Sequence, residues 1–98
     1  MSDINQVITE ADLKAHLGID YADDMVNTNI AQALRYADGE LRESVGDDYP
    51  VDHALTPELA LLYASASYEK RDLSGNESKR ADQIAMKLRL YLRRVSNE

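Results

Sequence analysis

Cysteine is absent from this 98-residue chain, which removes disulfides, thiolate metal sites and cysteine nucleophiles together. Trp and Phe are absent too, so six Tyr supply all the large aromatic volume. A core must be built mostly from Leu, Ile, Val, Met and Ala. No apolar run approaches the roughly 18–20 residues that a membrane span needs. The opening Met1-Ser2-Asp3-Ile4-Asn5 lacks the basic region and apolar core of a signal peptide. A soluble, non-secreted protein with no membrane partner is therefore expected. The length allows a single domain over residues 1–98, without a second core. A monomer of this size is only marginally stable, so burial against partner chains is a reasonable expectation.

Base is scarce in the first part of the chain. Residues 1–58 carry thirteen acids against Lys14, Arg35 and Arg42, a net −10. Residues 59–98 carry five acids against eight bases, a net +3. The total of −7 argues against wholesale wrapping of nucleic acid, which needs clustered Lys and Arg. The split predicts a molecule whose two halves differ in sign.

What is present reads as helix throughout. Residues 10–17 form a short helix with Thr9 as its cap, and Ile8 and Leu13 at the spacing of a hydrophobic staple. Gly18 ends it in the left-handed conformation, with Ile19 folding back onto Leu13. A long helix runs from Ala22 or Asp23 to residue 44, because Val26, Ile30, Leu34 (with Ala33), Ala37 and Leu41 recur at three- and four-residue steps. Gly39 is its weak point. Residues 45–55 read as a loop, with a short extended piece around 49–51.

Thr56-Pro57-Glu58 gives a hydroxyl cap, proline at the first helical position and an acid at the positive end of the dipole. A third helix is expected over 56–71. From Leu59 to Ala66 only Ser65 interrupts its apolar surface, which implies cover by the other three helices or by another subunit. Asp72-Leu73-Ser74-Gly75-Asn76 reads as a turn. A fourth helix over 77–94 carries Ala81, Ile84, Ala85, Leu88, Tyr91 or Leu92, and Val95 on its stripe, and the last four residues are expected to be loose. The fold class is all-α, a small four-helix domain.

Catalytic and metal chemistry find little to work with. His16 and His53 are the only imidazoles, and neither has acid, nucleophile or ligand spacing around it, so both are expected to be solvated. Asp20, Asp23 and Asp24, and separately Asp47, Asp48 and Asp52, lack the alternating oxygens, central Gly and terminal Glu of a calcium loop. Helix-start acids and a solvated loop explain them. No Gly-rich phosphate cradle occurs. Neither an enzyme nor a cofactor site is expected.

The basic face of the fourth helix is the pattern that points outward: Lys79, Arg80, Lys87, Arg89, Arg93 and Arg94. As a solvated face it suits the negative end of a helix dipole. As a binding face it suits acidic protein surface, including the acidic half of a neighbouring copy. A head-to-tail contact of that kind closes into a ring where the rotation fits. A helix-turn-helix DNA reader is the weaker alternative, because the chain is acidic and no helix combines Arg with Asn or Gln in a reading register. A small helical dimer, of the kind formed by inhibitor or antitoxin-like partner proteins, is another.

Three segments together resemble a known family. The first is Val7-Ile8-Thr9-Glu10-Ala11-Asp12-Leu13-Lys14-Ala15-His16-Leu17-Gly18-Ile19-Asp20, followed by Asp23-Asp24. The second is Ile30-Ala31-Gln32-Ala33-Leu34, leading to Leu41. The third is Leu55-Thr56-Pro57-Glu58-Leu59-Ala60-Leu61-Leu62-Tyr63-Ala64-Ser65-Ala66-Ser67-Tyr68-Glu69-Lys70-Arg71. In this order and at this length, across residues 7–94, the chain resembles the head–tail connector (adaptor, or head-completion) proteins of tailed bacteriophages.

The resemblance implies a helical, non-catalytic subunit that forms an oligomeric ring. Such a ring docks on the portal protein of the filled capsid after DNA packaging and extends the DNA channel. It also offers a platform to the next neck or tail-completion protein. DNA would pass through without sequence-specific binding. The protein would be made in the bacterial host cytoplasm and reside in the neck of the virion. The short tail Val95-Ser96-Asn97-Glu98 does not suit a long portal-embracing extension. The expected contacts set Lys79, Arg80, Lys87, Arg89, Arg93 and Arg94 against acidic surface on a neighbour or the portal. Asp20, Asp23 and Asp24 form the complementary patch.

Overall fold

The structure, a computed structural model, describes residues 2–21 and 23–96. Among these the order is a 3₁₀ turn (Ile4–Gln6), then α1 (Glu10–Leu17), α2 (Asp24–Ser44), α3 (Thr56–Tyr68) and α4 (Gly75–Ser96), with no strand. The expected all-α, four-helix architecture is what the chain forms.

Local chemistry sets most boundaries. At α1, Asp12 N–H donates to Thr9 Oγ1 at 3.1 Å and Thr9 N–H donates to Asp12 Oδ2 at 2.9 Å. This reciprocal box satisfies two backbone donors at the N-terminus. Gly18 closes the helix at φ +76°, and Ile19 N–H reaches back to Lys14 O. Without a Cβ, Gly18 adopts that angle at no steric cost. Asp23 caps α2 by accepting from the N–H groups of Met25 and Val26. The alternative start at Ala22 lies outside the described residues.

Three boundaries of the expected layout shift. α3 ends at Tyr68, three residues short of 71. Lys70 turns left-handed at φ 54°, and Arg71 N–H donates to Ala66 O. α4 begins at Gly75, because Ser74 and Glu77 form a second capping box: Glu77 N–H donates to Ser74 Oγ, and Ser74 N–H to Glu77 Oε1. What looked like a turn through Asn76 is already helix. At the other end Val95 and Ser96 are helical rather than loose, and Asn97 and Glu98 lie outside the described residues.

α3 packs chiefly on α2 and also meets α4 and α1. Its apolar circumference is explained by that position. Leu59, Ala60, Ala64, Ser65 and Ala66 are buried, and Leu61, Leu62 and Tyr63 are half-buried. The chain's own helices cover α3, so its composition gives no reason to invoke a second subunit. Ile4, Ile8, Leu13, Ile30, Leu34, Leu41, Ile84 and Leu88 complete the core.

Thr56 does not cap α3. Leu55 occupies the cap position without a side-chain bond. The buried Thr56 hydroxyl instead donates to Pro50 O at 2.6 Å, fastening the 45–55 loop beneath the helix start. No extended piece forms there. Tyr49 is only 1% exposed, and its hydroxyl donates to Asp38 Oδ1 at 2.6 Å. Asp38 also pairs with Arg42 Nε at 3.0 Å, and Arg42 Nη2 donates to Ser2 O at 2.7 Å. The guanidinium sits over the Tyr49 ring, 5.7 Å from its centroid. Burial, then the neighbouring Asp38 carboxylate, holds the phenol above its ordinary range. One network thus ties the N-terminal residues, α2 and the loop together.

Candidate interaction surface

The six cations expected to face outward divide into two groups. Arg80 is used within the chain, with Nε 2.6 Å from Glu58 Oε2 and Nη2 3.0 Å from Oε1. Hydrogen bonding to Arg80 lowers the Glu58 carboxyl below its usual range. Both side chains are substantially exposed, at 40% and 44%, so the pair orients α4 on α3 more than it stabilises the fold. Arg89 Nη1 donates to Ser44 O at 2.6 Å. It satisfies a carbonyl in the last turn of α2, where a cation suits the negative end of the helix dipole.

The other four remain on the surface. Lys79 and Arg93 are exposed. Lys87 and Arg94 line a recess of about 220 Å³, together with His53, Leu90 and Tyr91. His53 is not solvated as expected. It is half-buried, accepts from Leu55 N–H at Nδ1, and meets the Tyr91 ring edge-on at 4.8 Å between centroids. The recess therefore joins His53, held within the 45–55 loop, to two cations of α4. His16 is exposed.

Apolar side chains accompany these cations, and the expected contacts did not include them. Met86 is 56% exposed and Leu90 48%. They stand four residues apart, off the buried stripe of Ala81, Ile84, Ala85 and Leu88. That spacing is visible in the sequence as a second, minor apolar stripe on the basic face.

The acidic residues sit elsewhere. Asp23 is committed to capping α2, while Asp20 and Asp24 are exposed. Tyr21 follows Asp20 and Met25 follows Asp24 in the chain, 59% and 73% exposed. This ridge lies at the N-terminal end of α2, whereas Arg89 holds α4 against the C-terminal end. Twenty-one residues separate the ends, roughly 30 Å at helical rise. The two patches of opposite sign cannot meet within one molecule.

Among the described residues, no group of three or more His, Asp or Glu is placed to hold a metal ion. A groove of about 630 Å³ between the N-terminal residues, α1 and α2 has Glu10 and Arg35 as its charged lining. No described helix is long and apolar enough to cross a membrane. Comparison with protein-family models, curated proteins and solved structures finds no match to this chain.

Proposed function

We propose that this chain is a structural subunit of a tailed-phage neck. It assembles as a ring, docks on the portal of the filled capsid, extends the DNA channel and bridges head to tail without catalysis. The observation that carries the proposal is the succession of three sequence segments, at 7–20, 30–41 and 55–71. Their order and spacing resemble the connector family.

Three features support the reading. The chain is all-helical, as the resemblance implies. Its net charge of −7 suits a channel lining along which DNA slides without being gripped. Exposed apolar side chains stand beside acids at the start of α2 and beside cations on α4, where neighbouring copies would cover them.

Immunogold labelling of tailed particles from a strain encoding the chain tests the proposal. Label at the head–tail junction is the expected result. Label nowhere on the particle, together with salt-sensitive duplex binding by the purified protein, would replace it with a DNA-binding regulator. No label and a species that never exceeds a dimer would replace it with a helical partner protein.

A further inference from the structure

We infer that the recess at the end of α4 receives the acidic ridge before α2 of a second copy, in a head-to-tail contact. The inference rests on the assembly reading above and names the two surfaces that would carry it.

Each surface is incomplete alone, and in a complementary way. The recess offers Lys87 and Arg94 beside Leu90 and Tyr91 in its lining. Neither Lys87 nor Arg94 makes an ion pair among the described residues. The ridge offers Asp20 and Asp24, with Met25 directly after Asp24 in the chain; Met25 is the most exposed large apolar side chain described. A carboxylate on each cation and a thioether against Leu90 and Tyr91 would match charge to charge and apolar to apolar. The thioether is unbranched and polarisable, and it packs well on aromatic rings.

Geometry selects the partner. Donor and acceptor patches on one chain, about 30 Å apart by helix length, leave every bound copy with one free surface of each kind. A heterologous contact of this sort propagates and closes when its rotation allows. A peptide or acidic protein of another kind would satisfy the recess but would leave Met25 and Tyr21 uncovered.

Sedimentation velocity across a concentration series, at low and high salt, tests the inference with two variants. One reverses the recess (Lys87→Glu with Arg94→Glu). The other reverses the ridge (Asp20→Lys with Asp24→Lys) and leaves the Asp23 cap in place. Wild type is expected to form species larger than a dimer, weakened by salt. Each reversal alone is expected to weaken association by at least about tenfold. An equimolar mixture of the two variants is expected to associate again, because each then presents the sign the other lacks.

Helical circular dichroism reports whether the variants fold. Should a reversal unfold the chain, Lys87→Gln with Arg94→Gln and Asp20→Asn with Asp24→Asn give the same two single-sided losses. Strict monomers, a series that stops at the dimer, or association indifferent to the reversals would each overturn the docking. The particle labelling above would stand unaffected by that failure.

Discussion

Replacing Tyr49 with Phe removes one oxygen and keeps the ring. The hydroxyl donates to Asp38 Oδ1 at 2.6 Å, with the ring almost wholly buried. A hydrogen bond to a charged acceptor contributes about 1.5–3 kcal/mol. Asp38 keeps its bond to Arg42 and is 27% exposed at the side chain, so water recovers part of the loss. The lower end, about 1.5 kcal/mol, is therefore expected. For a domain of this size each kcal/mol shifts Tm by about 4–8 °C, so Tyr49→Phe should lower Tm by roughly 6–12 °C. Tyr49→Ala also empties the ring's volume and should cost about 3–5 kcal/mol, a large share of the roughly 5–15 kcal/mol available. Urea unfolding followed by helical circular dichroism measures both, and an unchanged m-value would confirm that stability alone has moved. Tyr21→Phe, at a 59% exposed position, serves as the control. If Tyr49→Phe costs no more than that control, under about 0.5 kcal/mol, the network does not hold the loop as described.

Three further outcomes follow from named contacts. Thr56→Val keeps the shape but leaves the buried Pro50 carbonyl without its donor, and should destabilise by about 1–3 kcal/mol in the same assay. Gly39→Ala should stabilise by up to about 1 kcal/mol, because a Cβ there meets nothing within 4 Å; a loss of stability would contradict the open space seen around it. Glu77 links folding to pH. The hydrogen bond from Arg71, then that from Ser74 N–H, lowers its carboxyl from 4.5 to about 2. A depressed folded-state value stabilises the fold above the unfolded value, and that contribution is lost as pH falls from 4.5 towards 2. Glu77→Gln should therefore show a shallower acid loss of Tm than wild type over that window, and identical slopes would refute the linkage.

Legibility in the sequence tracked how local each cause was. α1 was readable to the residue because Thr9 and Gly18 act within one helical turn of its ends. The stripe Ile30, Leu34, Ala37 and Leu41 gave the buried face of α2 for the same reason. The end of α3 was overrun because Glu69, Lys70 and Arg71 have good helical propensity, while Arg71 is drawn away by Glu77 six positions later. The start of α4 was hidden by Gly75-Asn76, although the Ser74-x-x-Glu77 box was available to be read.

The loop was the least legible element. Tyr49 answers to Asp38 on another turn of chain, and Thr56 answers to Pro50 across the loop. On the candidate surface, nothing in the basic stripe of α4 distinguishes Arg80 and Arg89 from Lys87 and Arg94. Their partners, Glu58 and Ser44, lie 22 and 45 residues away. The exposed pair Met86 and Leu90 is marked in the sequence only by its four-residue spacing, a weaker pattern than the longer stripe of Ala81, Ile84 and Leu88.

Deleting the coding sequence from a strain that encodes the chain and releases tailed particles, then imaging those particles, tests the neck assignment most directly. The predicted result is DNA-filled heads without tails beside free tails, with tailed particles restored when the chain is supplied in trans. Normal tailed, infectious particles in its absence would contradict the assignment.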